Sequence, residues 1–248
     1  MMVGFVALGT LAYLVGAYQQ SLAGKRWSLW RSLSFVSGSL LLGVAMSGPV
    51  MHWAHHDLRG HMAQHLVIGM LVPLAWVLAA PVTLLLRALP VAAARRVVGL
   101  LHSLPIRIVS HPICALLLNI GGMYVLYLTP LYATSLHMPW LHGWMLAHFL
   151  LAGYLFCWAI LAAPDASPHT LSPRSRAFVL YVSIAAHAIL GKLMYGYAWP
   201  RNTHHGIEEI QAAAQVMYYG GDAAEALLAL AFFILWYRRS HAPASGST

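Results

Sequence analysis

Charge is what this chain has least of. Only 8% of its 248 residues are Asp, Glu, Lys or Arg, where a soluble globular domain carries about 25%. Water is therefore not its main solvent. Six acidic residues are too few to build the oxygen cage that calcium or magnesium wants. Cysteine is limited to Cys114 and Cys157, both inside apolar runs, which excludes a disulfide framework and leaves them as small core side chains. Alternating segments of about ten residues, the mark of a transmembrane barrel, are also missing. The net charge of +8 does not read as a nucleic-acid surface, because the basic residues are spread over several loops rather than gathered on one face.

What the chain does have is apolar sequence, 60% of it hydrophobic, in runs of about twenty residues. Hydrocarbon leaves no partner for an open backbone, so such runs imply an all-α bundle. Seven spans are expected, near 2–20, 31–51, 62–86, 112–132, 140–163, 176–198 and 212–237. The first run lacks a basic flank and a convincing cleavage site, and is kept as a span rather than a signal peptide. The less apolar stretch 87–111, with Arg87, Arg95, Arg96 and Arg107, is expected to lie along the membrane surface. Lys and Arg fall in alternate loops: Lys25, Arg26 and Arg31; the 87–111 stretch; Arg174 and Arg176; Arg238 and Arg239. By the positive-inside rule those loops are cytoplasmic, with the N-terminus outside and the C-terminus inside. One transmembrane domain over residues 1–238 and a disordered cytoplasmic tail over 239–248 complete the organisation.

The fifteen histidines gather on the other side. His52, His55, His56, His61 and His65 lie between or beside spans two and three, His137 and His142 between four and five, His204 and His205 between six and seven. Imidazole is the commonest protein ligand for Zn, Cu, Fe and Ni. In Gly60-His61-Met-Ala-Gln-His65 two histidines at i and i+4 share one helix face and are spaced to chelate one ion. Span five offers His142 and His148 with Met145 between them, and span six offers His187 near its centre. His52, His55, His56, His204 and His205 read more simply as solvated loop side chains. For His65, His148 and His187 the simpler reading is a buried histidine bonded to a neighbouring helix, yet ionisable groups inside a membrane are costly enough to point to function.

Span seven places Asp222 and Glu225 in an apolar helix. Two readings stand: an ion pair of either carboxylate with Lys192, or Asp222 as a metal ligand or as the group orienting a ligating histidine. Eleven methionines offer soft thioethers that suit Cu(I). Met62 and Met145, interleaved with the histidine pairs, are the candidates; the others read as core filler.

These residues together resemble the multi-spanning CtaG family of cytochrome c oxidase assembly proteins. The resemblance rests on Gly60-His61-Met62-Ala63-Gln64-His65-Leu66, Pro73, Ala80-Pro81, His111-Pro112, Pro130-Leu131-Tyr132, His142-Gly-Trp-Met145-Leu-Ala-His148-Phe149, Asp165, Arg176, His187-Ala188, Gly191 and Met194. It covers residues 30 to 237 or so. Span seven departs from the family pattern at Met217-Tyr-Tyr-Gly-Gly-Asp222. The resemblance implies a part in maturing a haem–copper oxidase, with His61, His65, His142, His148 and His187 at the matching positions. The expected protein is thus a non-enzymatic, multi-pass protein of the bacterial cytoplasmic (inner) membrane. Copper is bound by His61, His65, His142, His148, His187, Asp222, Met62 and Met145, and passed to oxidase subunits or exchanged with a periplasmic copper chaperone. The rival readings are a membrane oxidoreductase holding haem between His65, His148 and His187, and an assembly scaffold that binds no metal.

Overall fold

The structure is a computed structural model that describes residues 2–165, 167–168 and 171–241. Among these residues every regular element is helical: α1 (Met2–Leu22), α2 (Leu29–Ala45), α3 (Gly48–His56), α4 (Leu58–Leu78), α5 (Pro81–Ala88), α6 (Val91–Leu101), α7 (Leu104–Val109), α8 (Pro112–Tyr127), α9 (Leu131–His137), α10 (Pro139–Leu161), α11 (Pro173–Tyr197) and α12 (Ile207–Ser240). The expected all-α membrane bundle is what forms. Helices α4, α10, α11 and α12 are each long and apolar enough to cross a membrane; α2 with α3, bent by 57°, and α8 with α9, bent by 76°, bring the count to six if each pair is one span. Helix α1 covers the first expected run with 21 residues, but the count by length and composition stops at six.

The boundaries differ from expectation where proline and glycine intervene. The run expected as one span over 31–51 breaks at Ser47, before Gly48-Pro49, and the run over 112–132 breaks at Pro130. The span expected over 62–86 ends at Leu78: Ala80 takes a left-handed conformation (φ 56°) ahead of Pro81, because the residue before proline is pushed out of the right-handed helical region. Asp165 then accepts the Val82 and Thr83 amides at 2.9 and 2.7 Å, which caps α5 and favours its dipole. The stretch 87–111 contains two short helices, α6 and α7, neither with a buried residue. Helix α12 runs to Ser240, which takes it into the stretch 239–248 expected as a tail; residues 242–248 lie outside the described part.

The bundle has a histidine end and an arginine end, each with its own core. At the arginine end Leu74, Val77, Phe156, Trp158, Leu228 and Phe232 pack together. There Arg176 donates to the Ile160 and Leu161 carbonyls at 2.7 and 2.8 Å, satisfying acceptors that the last turn of α10 leaves open. The histidine-end core contains Leu58, Tyr127, Tyr132 and Leu190 together with Met62, Met123, Met145, Met194 and Met217.

Midway along α4 and α8 the backbone widens into single π-turns, Val67–Leu71 and Leu117–Gly121, a local expansion that is often found at functional sites. A void just large enough for about one water molecule lies between them, bounded by Gly69, Asn119, Ser183 and Glu225. Close packing holds the frame: Gly153 of α10 meets the Gly69 carbonyl so tightly that a Cβ would collide with it, and Gly221 of α12 stands against the His187 ring in the same way.

Candidate metal centre

The start of α4 is fixed by two carboxylates, and this sets the height of its histidines. Asp57 accepts from the Arg59 amide at 2.8 Å as the helix N-cap, and Glu209 of α12 accepts from the Leu58 amide at 2.7 Å. The Arg59 guanidinium holds the Asp57 carboxyl down at about 2, against a usual 3.8. Glu209 also stands 2.7 Å from Nδ1 of His205, whose Nε2 is 3.3 Å from the Tyr132 hydroxyl. Burial is the main cause that lowers the His205 pKa.

One turn into α4, His61 is buried with its ring edge-on to Tyr132, the centroids 4.8 Å apart. The His142 ring of α10 lies 5.9 Å from that of His61, and the His55 ring of α3 lies 4.6 Å from that of His142. Trp53 of α3 rests on Gly60, where any Cβ would strike its ring, and this close approach brings His55 over the mouth of the bundle. Both ring nitrogens of His61 and both of His142 are buried without a hydrogen-bond partner. Buried polar atoms are nearly always paired, so this imidazole pair is short of donors or acceptors.

His65 lies one turn further in, buried, with Nε2 3.0 Å from the Met123 sulfur and its ring edge-on to Phe149 at 4.6 Å. His187 has Nδ1 3.5 Å from Oε2 of Glu225, loose for a hydrogen bond, while its Nε2 has no partner. Ser183 donates to the other Glu225 oxygen at 3.2 Å. His148 is turned elsewhere: its Nε2 is 3.0 Å from the Leu118 carbonyl and its ring stacks on Trp144. Each of His65, His148 and His187 thus has a different partner. Met62 and Met145 are buried in the histidine-end core.

The carboxylates of α12 sort by register. Met217, Gly221, Ala224, Glu225 and Leu228 are buried along one face, and Glu225 meets His187. Asp222, one residue past Gly221, is only half-buried and has no ion pair or hydrogen bond among the described residues. Lys192, one residue past buried Gly191, is exposed over the Tyr218 ring, 5.7 Å from its centroid, and pairs with neither carboxylate among the described residues. Sequence reasoning therefore set aside four residues that the structure brings to the site: His55, His205, Met123 and Glu225. The Glu225 position was readable from its four-residue spacing to Gly221 on the small-residue face of α12; the other three depend on which helices dock.

Among the described residues no three His, Cys, Asp or Glu side chains converge as a ready-made metal cage. The donor set is instead one of paired imidazoles and thioethers, which fits a soft ion that needs few ligands better than a hard one. Residues 11–239 match the family described as cytochrome c oxidase caa3 assembly factor (Caa3_CtaG). The chain belongs to this family. Nearly the whole bundle, from α1 into α12, falls inside the match to the caa3 assembly factors. Two curated relatives, both uncharacterised, are 34% identical: one of Mycobacterium leprae over 193 residues, 75% of this chain and 29% of its own length, and one of Mycobacterium bovis over 188 residues, 73% and 28%. The chain thus spans under a third of the length of these curated relatives. No solved structure matches it.

Proposed function

We propose that this assembly factor binds copper at the histidine end of the bundle and hands it to a haem–copper oxidase, either to a subunit directly or through a periplasmic copper chaperone. The observation that carries the reading is the pair His61 and His142, four buried ring nitrogens without a partner. Leaving a polar group buried and unpaired costs about 1–3 kcal/mol; an ion between or beside these rings offsets that cost for two of the four. His55 above them forms the entrance. His65, Met62 and Met145 extend the donor set inward, and His187 with Glu225 closes it. His148 and Asp222 join only by rearrangement, His148 by leaving the Leu118 carbonyl and Asp222 by rotating inward. The role needs no turnover: a two-ligand site releases its ion when an incoming thiolate or thioether displaces an imidazole.

The placement of charge supports the orientation, with seven spans, the N-terminus outside and the histidine end facing away from the cytoplasm. The basic loops lie at the opposite end. In a bacterial cytoplasmic membrane that face meets the compartment through which copper reaches the oxidase. The test is metal analysis and an optical spectrum on detergent-purified protein, wild type against His61→Ala/His65→Ala. Stoichiometric copper in the wild type, lost in the variant and without a Soret band, is expected. Copper that survives both substitutions removes the site; a Soret band moves the assignment to haem.

A further inference from the structure

We propose a second, deeper station for copper in its reduced state, made by His65 of α4 and Met123 of α8; it rests on the copper reading above and deepens it. The two side chains come from different helices, both are buried, and His65 Nε2 points at the Met123 sulfur across 3.0 Å. The direction is fixed on the imidazole side, because Phe149 and Tyr127 stand edge-on to the His65 ring at 4.6 and 6.1 Å. It is adjustable on the other, since an unbranched methionine re-aims its sulfur by bond rotation. Four more buried thioethers, Met62, Met145, Met194 and Met217, belong to the same core, but of these sulfurs it is Met123 that His65 Nε2 contacts. Both helices widen beside the pair: the π-turn of α4 begins two residues after His65, and that of α8 ends two residues before Met123.

The two stations differ in chemistry. The His55, His61 and His142 station offers imidazole, which accepts either copper oxidation state, whereas a thioether selects Cu(I). They are close enough for direct exchange, since His65 is one turn, about 6 Å, below His61 on the same helix face. In the exchange the two Cu–imidazole bonds at the upper station break as bonds to His65 Nε2 and Met123 sulfur form. The neutral His65 ring moves its proton from Nε2, which donates to the thioether before the ion arrives, to Nδ1, and the copper keeps its oxidation state. The lower station therefore acts as an oxidation-state filter: an ion that arrives as Cu(II) stays at the upper imidazoles.

The test uses the full chain in detergent under anaerobic conditions, titrated with Cu(I) against a competing chelator and with Ag(I) as a second probe. The wild type is expected to bind two ions per chain, and copper X-ray absorption to show a sulfur neighbour. Met123→Leu, close in volume and apolar, is expected to remove the sulfur signal and weaken one of the two ions by more than the ~10-fold that losing even an outer-shell partner costs. His61→Ala is expected to weaken the other ion and keep the sulfur signal. Met46→Leu, outside this core, is expected to change neither. One ion per chain, lost in His61→Ala and unaffected by Met123→Leu, overturns the deeper station and leaves the proposed function standing. An unchanged sulfur signal in Met123→Leu overturns it too. No copper in any variant overturns both.

Discussion

Placing a single methyl group at Gly221 is the sharpest probe of the α11–α12 contact. A Cβ there meets three atoms of the His187 ring at closer than contact distance, while a Cβ at the neighbouring Gly220 meets only the far end of the Leu66 side chain. The ring is buried and packed between two helices, so it cannot swing away as a leucine methyl can. Overpacking of this kind costs about 1–3 kcal/mol, which for a chain of this size lowers Tm by about 2–12 °C. Gly220→Ala is expected to shift Tm by much less. The decisive comparison is the double variant Gly221→Ala/His187→Ala: with the ring gone the methyl has room, so its Tm lies above the value expected from adding the single effects. The measurement is thermal unfolding of the purified protein in detergent, with coupling of at least ~0.5 kcal/mol as the threshold. Strict additivity, or a Gly221→Ala protein as stable as Gly220→Ala, refutes the contact and with it the placement of His187 beside Glu225.

Two further outcomes are expected. Glu225→Gln keeps the shape and a partner for Ser183, whereas Glu225→Ala strands Ser183 and His187 in the bundle interior at about 1–3 kcal/mol; thermal unfolding separates them, and equal stabilities sink the assignment. Asp57→Ala removes the α4 N-cap at about 0.5–2 kcal/mol. Because Arg59 lowers the folded carboxyl from 3.8 to about 2, the charge-dependent part of that contribution is complete above the unfolded value and lost as pH falls through about 2. The Tm gap between wild type and Asp57→Ala is thus flat from neutral pH to about 4.5 and closes below it, and a gap that varies between pH 5 and 7 contradicts the cap.

The helical class was legible because it depends only on composition along the chain. So was the shared helix face of His61 and His65, since one helix periodicity places both. What was not legible depends on three-dimensional register. Ala80-Pro81 and Pro130 each allow either a kink or a stop, and the choice rests on which neighbours take the freed amides; Asp165, more than eighty positions away along the chain, makes it for α5. His55 and His205 look like solvated loop residues until Trp53 docks on Gly60 and Glu209 reaches across to α4. Lys192 and Asp222 are at comparable depth, but each sits one residue off the buried face of its helix. Depth along a helix can be read by counting residues; the facing direction needs the neighbouring helices.

The two π-turns have a consequence for how this bundle tolerates change. A π-turn is an α-helix carrying one extra residue, and each residue turns a helix by about 100°. The half of α4 above Val67 is thus rotated against the half below, which lets the histidine face be aimed independently of the face that packs at the arginine end. A one-residue deletion within 67–71 heals the helix into regular α geometry and makes its backbone more ordinary. It also swings His61 and His65 away from His142 and Met123 by about a quarter turn, so the shorter chain folds and no longer presents its imidazoles to their neighbours.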